Sequence, residues 1–149
     1  MKYTHLLGKQ FDLGRQDCFQ MCIDFFDENF NIKIPNIARP HDWDPNKLDL
    51  IGDFYHISGF EKIEKDEWPP RPADVLVTTV GGRNPNHLLI YLGGNEFIHH
   101  QTGKLSTQEV LRPAWRRFTS YILRHPDVPD MTPEKPLLDL RELMHDRFI

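Results

Sequence analysis

The run from Asn86 to His100 leaves this chain little freedom. Two apolar stretches, Asn86 to Leu92 and Glu96 to His100, flank Gly93-Gly94-Asn95, a turn able to take positive φ, and together they read as one β-hairpin. With a three-residue loop, Leu92 faces Glu96 and Leu89 faces His99, so that His87 and His99 stand on one sheet face. A two- or four-residue loop brings His100 onto that face instead, and spacing alone leaves His99 and His100 both open.

Upstream of the hairpin the period is helical. Phe19, Cys22, Ile23, Phe26 and Phe30 recur at the spacing of one buried helix face over residues 17–30, with Asp17 placed as N-cap or first-turn anion. That helix must stop before Pro35, and residues 36–46 form a loop rich in breakers. Leu48 to Ile57 suits a short second helix, and Glu61 to Pro72 reads as an exposed, charged connector. From Ala73 the period changes to that of strands, with Asp74 to Val80 and Thr119 to Arg124 as further candidates. The expected class is α+β, an N-terminal helix packed on an antiparallel sheet.

The chain has 149 residues, enough for one core that buries roughly two-thirds of the unfolded surface. Residues 1–125 are expected to form that single domain. Beyond it, residues 126–149 are expected to form a linker spaced out by Pro126, Pro129, Pro133 and Pro136 and then a short amphipathic helix marked by Leu137, Leu140, Met144 and Phe148, suited to docking on its own domain or a partner. A net charge of −4 gives no electrostatic reason to expect nucleic acid. The sequence shows neither a secretory signal nor an apolar span, so folding in the cytoplasm is expected. Cys18 and Cys22 are poorly spaced for a disulfide on one helix, and both are expected to be free thiols.

Cys18 follows Asp17 at the start of the first helix, where unsatisfied backbone N–H groups favour thiolate character. A nucleophilic thiol needs a base, and the base needs a third group to hold its ring; His87 is the base candidate and His99 the orienting one. Asp17 opposes the helix-end effect through like-charge repulsion, and the sequence does not say which wins. The plainer reading makes Cys18 a small buried hydrophobe and the histidines strand ends. Metal binding by Cys18, Cys22, His87 and His99 is disfavoured, because the two histidines lie far apart in sequence compared with the usual zinc spacing.

Asp17-Cys18, then Ala73-Asp74-Val75-Leu76, His87-Leu88-Leu89-Ile90-Tyr91-Leu92-Gly93 and Phe97-Ile98-His99 together resemble the NlpC family of papain-like cysteine peptidases. Further motifs narrow the likeness to bacteriophage tail assembly proteins of the lambda tail protein K type. These are Arg15 to Phe19, Ile34-Pro35, Arg39 to Trp43, Gly59-Phe60, Pro85-Asn86-His87, Ile98-His99-His100 with Leu105-Ser106, and Trp115-Arg116-Arg117 leading to Arg124-His125. The resemblance covers residues 6–125 and implies a papain-like fold with Cys18, His87 and His99 as catalytic residues and no cofactor or metal.

By the same resemblance the substrate is a peptidoglycan stem peptide, cut at a D-glutamyl-diaminopimelate bond, and the partners are phage tail-tip proteins. The protein is then expected in the host cytoplasm during assembly, in the virion tail, and in action at the cell wall. Two departures stand out: Phe19 replaces the usual serine after the nucleophile, and Phe11 replaces a tyrosine whose hydroxyl would help hold the oxyanion. Phe11 favours a rival reading, a structural tail-tip or assembly component with weak or vestigial activity. An acyltransferase using the same thiol chemistry is a third. His41, Asp42, Trp43 and Tyr91 are weaker candidates for lining a substrate groove.

Overall fold

The computed structural model describes residues 1–133. A single 3-10 turn at Thr4–Leu6 precedes helix α1, Cys18–Phe30. Asp17 caps α1 as expected, its Oδ1 accepting the Gln20 N–H at 2.9 Å. The helix ends at Asn31, whose left-handed backbone (φ 53°) returns its N–H to the carbonyls of Asp27 and Phe26. The buried face carries Cys18, Phe19, Met21, Cys22, Phe25 and Phe26. It is rotated from the expected one: Phe25 and Met21 are fully inside, while Ile23 and Phe30 are only half-buried.

Helix α2, Leu50–Ser58, starts where Asp49 accepts the Gly52 N–H at 2.9 Å and stops at Gly59, φ 77°. Six strands follow: β1 Glu61–Ile63, β2 Val75–Thr78, β3 His87–Gly93, β4 Glu96–His99, β5 Thr107–Val110 and β6 Thr119–Arg124, with helix α3, Pro113–Phe118, before the last. They make one sheet in the order β1-β6-β2-β3-β4-β5, with every pairing antiparallel. The expected α+β class, a helix carrying Cys18 on an antiparallel sheet, is the architecture observed.

Both faces of the sheet are covered. On one, α1 and α2 bury Val75, Val77, Leu88, Ile90, Ile98 and Leu123. On the other, Leu76, Leu89, Tyr91, Phe97, Leu111 and Ile122 pack with Trp68 and Trp115. This two-sided cover explains why β2 is buried at all positions rather than alternating.

The hairpin pairs Leu89 with His99, Ile90 with Ile98 and Tyr91 with Phe97, as the spacing predicts. At the tip the register shifts, so that Gly93, not Leu92, faces Glu96, and Gly94 and Asn95 make the turn at φ 59° and 63°. The Glu61 to Pro72 connector also needs correction. It contains β1, paired with β6 from Glu61↔Arg124 to Ile63↔Ile122, and a 3-10 turn at Lys65–Glu67. After β6, His125 is buried edge-on to Phe60, and Val128 and Met131 pack against the first core. Leu137, Leu140, Met144 and Phe148 lie outside the described residues.

Candidate active site

Cys18 is the first residue of α1 and is 6% exposed. The cap beside it is itself held: Asp17 accepts the Gly14 N–H at 2.7 Å and is gripped by the Arg39 guanidinium, Nε to Oδ2 at 2.7 Å and Nη2 to Oδ1 at 3.1 Å. Arg39 also donates to Asn36 Oδ1 and the Ile37 carbonyl, which pins the loop after α1 to the helix start. The Cys18 thiol meets the backbone N–H of Leu88, the residue after His87.

His87 opens β3, and its backbone is fixed from two sides. Its carbonyl accepts from Thr78 Oγ1 at 3.0 Å, while Asn86 clasps the preceding loop by accepting the Val80 N–H at 2.9 Å and donating to the Val80 and Gly81 carbonyls. His87 Nε2 and His99 Nδ1 are 2.9 Å apart, so the hairpin register that aligns the two rings also bonds them. His99 Nε2 is paired with the Glu109 carboxylate of β5. Trp115 stands edge-on to His99, ring centroids 5.3 Å apart.

His100, the alternative left open by spacing, points elsewhere. It packs edge-on against Phe11 at 5.6 Å and lines a cavity of about 280 Å³ with Cys18, Phe11, His41, Trp43, Asn86 and Thr102. A second cavity, about 260 Å³, is lined by His87 together with Pro45, Val80 and Gln101, and shares Trp43, Asn86 and Thr102 with the first. Cys18 and His87 therefore border adjoining hollows, and no hydrogen bond joins them among the described residues. Trp43 is fixed by Nε1–H donating to the Leu48 carbonyl at 2.9 Å. Tyr91 lies in the second core, its hydroxyl accepting the Asn95 N–H, and lines neither cavity; nor does Asp42.

Burial governs the electrostatics. The Cys18 thiol is pushed up to about 12, first by burial and then by the Asp17 charge; the Leu88 N–H and Arg39 pull the other way without winning. Burial, then His99 and His100, lower His87 to about 3. His99 is lowered by burial against the opposing pull of Glu109. The free protein thus holds a neutral thiol and a neutral imidazole rather than a standing thiolate and imidazolium. Among the described residues no cluster of three His, Cys, Asp or Glu side chains is arranged to hold a metal, and no helix is long and apolar enough to cross a membrane.

Asn86, Thr102, Arg39 and Glu109 are the site's additions to the sequence reading. The first and third sit inside recognised motifs, where their side-chain roles could have been asked about; Glu109 lies in a polar stretch that carries no signal. The sequence model of the NlpC/P60 family matches residues 8–124. The chain belongs to the NlpC/P60 family. Its six-stranded antiparallel sheet with flanking helices is consistent with that family's papain-like fold.

Among curated proteins, Tail tip assembly protein K of Escherichia phage lambda is 32% identical over 121 residues, covering 81% of this chain and 59% of that protein. The protein of the same name from Escherichia phage N15 is 28% identical over 125 residues, 83% of this chain and 50% of its own length. The chain spans about half the length of the curated relatives it matches. This NlpC/P60 member is therefore similar over most of its length to proteins named for phage tail tip assembly.

Proposed function

We propose that this NlpC/P60 member is a cysteine peptidase of a phage tail that cuts peptidoglycan stem peptides at D-glutamyl-diaminopimelate bonds. Cys18 attacks the scissile carbonyl, His87 takes the thiol proton and returns it to the leaving amine, and His99 orients His87. The observation that carries this reading is the 2.9 Å bond between His87 Nε2 and His99 Nδ1, at the strand start whose next backbone N–H meets the Cys18 thiol. The protein would be made in the host cytoplasm, carried in the virion tail and act at the cell wall. Muropeptides incubated with the protein, beside Cys18→Ala, test the reading. Amine release by the first and none by the second is the expected result, and an inert wild type across pH 5 to 9 overturns it.

The rival reading, a structural tail-tip component with vestigial chemistry, draws on one specific observation: burial holds the thiol and the imidazole both neutral. For either role the tail-tip partner is proposed to bind through Leu137, Leu140, Met144 and Phe148. Because Val128 and Met131 pack against the core, the truncation that tests this docking stretch must cut after Pro133. Undiminished tail assembly by that truncated chain removes the docking role.

A further inference from the structure

The bonded pair of imidazoles does not end at His99. In the β4–β5 register Phe97 faces Glu109 and His99 faces Thr107, so Glu109 is the diagonal neighbour of His99 on the same sheet face, where its carboxylate pairs with His99 Nε2. Trp115 and Phe97 wall the other sides of the ring, with centroids 5.3 Å and 4.9 Å away. A small cavity lined by His99, Gln101, Lys104, Leu105, Thr107 and Glu109 adjoins this pair, with the Glu109 side chain partly in solvent and the His99 ring shielded from it.

We propose that Glu109 is a positioning residue that fixes the tautomer of His99 and, through it, that of His87. The proposal rests on the peptidase reading above for its catalytic meaning, though not for its geometry. A carboxylate only accepts, so His99 Nε2 carries the hydrogen and Nδ1 of the neutral ring is bare. That bare nitrogen faces His87 Nε2, which must then be the N–H donor. His87 Nδ1 is left with its lone pair free, the form a general base requires.

Two neutral imidazoles alone have no such preference. The reverse arrangement, His99 Nδ1–H donating to His87 Nε2, places the hydrogen of His87 on Nδ1 and leaves nothing there to take the thiol proton. With Glu109 in place, the S–H bond of Cys18 breaks, its electron pair stays on sulfur, and the proton moves to His87 Nδ1. His87 Nε2–H continues to donate to His99, with the carboxylate charge beyond. The same Nδ1–H then passes to the leaving amine. Carboxylates that orient a histidine from behind typically change function by roughly 10- to 100-fold. With the Glu109 side chain 42% exposed, the lower end is expected here.

The groups facing His99 are Glu109, His87, His100 and Lys104, and of these only Glu109 favours added positive charge on the ring. Two measurements on the whole chain test the assignment. Ring-nitrogen chemical shifts at neutral pH should report Nε2–H for both His87 and His99 in the wild type. Glu109→Ala should show a mixture including Nδ1–H, and Glu109→Gln, which keeps an accepting oxygen without charge, an intermediate pattern. On muropeptides, Glu109→Ala should lower kcat about tenfold with KM within about twofold, and move the acidic limb of the pH profile to lower pH. Glu96→Gln, which removes a carboxylate from the far end of β4, should change neither reading.

Unchanged ring protonation in Glu109→Ala overturns the proposal whether or not the enzyme is active. A wild type that fails to cleave while its ring protonation responds to Glu109 sinks the peptidase reading and leaves the positioning role standing. Glu109→Gln, isosteric and half in solvent, keeps the test available should the alanine variant fold poorly.

Discussion

Arg39 holds both carboxylate oxygens of Asp17, and the two side chains are 0% and 2% exposed. An ion pair this deeply shielded is worth little compared with an apolar pair of the same shape, but it is costly to break from one side. Here it joins the loop bearing His41 and Trp43 to the helix start that carries Cys18.

Removing the guanidinium alone is therefore expected to do the greater damage. Arg39→Met should destabilise the domain by about 3–5 kcal/mol, because it strands the Asp17 charge away from water. The double variant Asp17→Asn with Arg39→Met should recover part of that loss. Urea unfolding midpoints of the three proteins check this, and a single variant as stable as the wild type contradicts it.

The thiol at Cys18, raised to about 12, and the imidazole at His87, lowered to about 3, predict how the free site reacts. Alkylation of Cys18 by iodoacetamide, followed by peptide mass spectrometry, should rise about tenfold per pH unit from pH 6 to 9, as the thiolate fraction does. A rate that is flat from pH 5 to 8 would reveal a standing thiolate–imidazolium pair and contradict the neutral resting state.

Buried histidines also tie stability to pH. His87 has its folded pKa depressed from 6.5 to about 3, so between those values the unfolded chain binds the proton and the native one does not. Stability is therefore intact above pH 6.5 and is lost as pH falls toward 3; His99 and His100, also lowered, act in the same direction. Replacing His87 with Gln should make the fall shallower by up to about 1.4 kcal/mol per pH unit. Unfolding midpoints at pH 7, 6, 5 and 4 give the slopes, and equal slopes in the two proteins sink the prediction.

Phe11 borders the Cys18 cavity beside His100, at the position where the resemblance expects a tyrosine. If the protein is a peptidase, Phe11→Tyr should raise kcat on muropeptides by about tenfold or more with little change in KM, since a new donor near the reacting carbonyl acts mainly in the transition state. Steady-state kinetics decide the matter, and an unaltered kcat means that no hydroxyl is needed there.

The parts of the fold that were legible in the sequence are those whose stability is written locally. Asp17 capping a periodic helix, and two apolar runs around Gly93-Gly94-Asn95, announce α1 and the β3–β4 hairpin. Edge strands announce nothing: Glu61-Lys62-Ile63 and Thr107-Gln108-Glu109-Val110 are largely exposed and polar, and they are strands because a neighbour offers its backbone groups. Helix α3 is six residues long, too short to display a period. The candidate site divides along the same line. Cys18, His87 and His99 sit on legible elements, whereas Glu109 and Trp115 arrive from illegible ones. The shift of the buried face toward Phe25 follows from covering both α2 and the sheet, a demand no single helix encodes.

The place of β6 has a consequence for how the molecule is made. The last strand in sequence lies between β1 and β2, one place in from the edge of the sheet. Until residues 119–124 leave the ribosome, β1 has no strand partner and β2 presents a bare edge, and the apolar face beneath them has no closing row. Helix α1 is synthesised early, yet the sheet it rests on is finished only when this late strand slides in, so a nascent chain remains exposed to unwanted pairing through most of its synthesis.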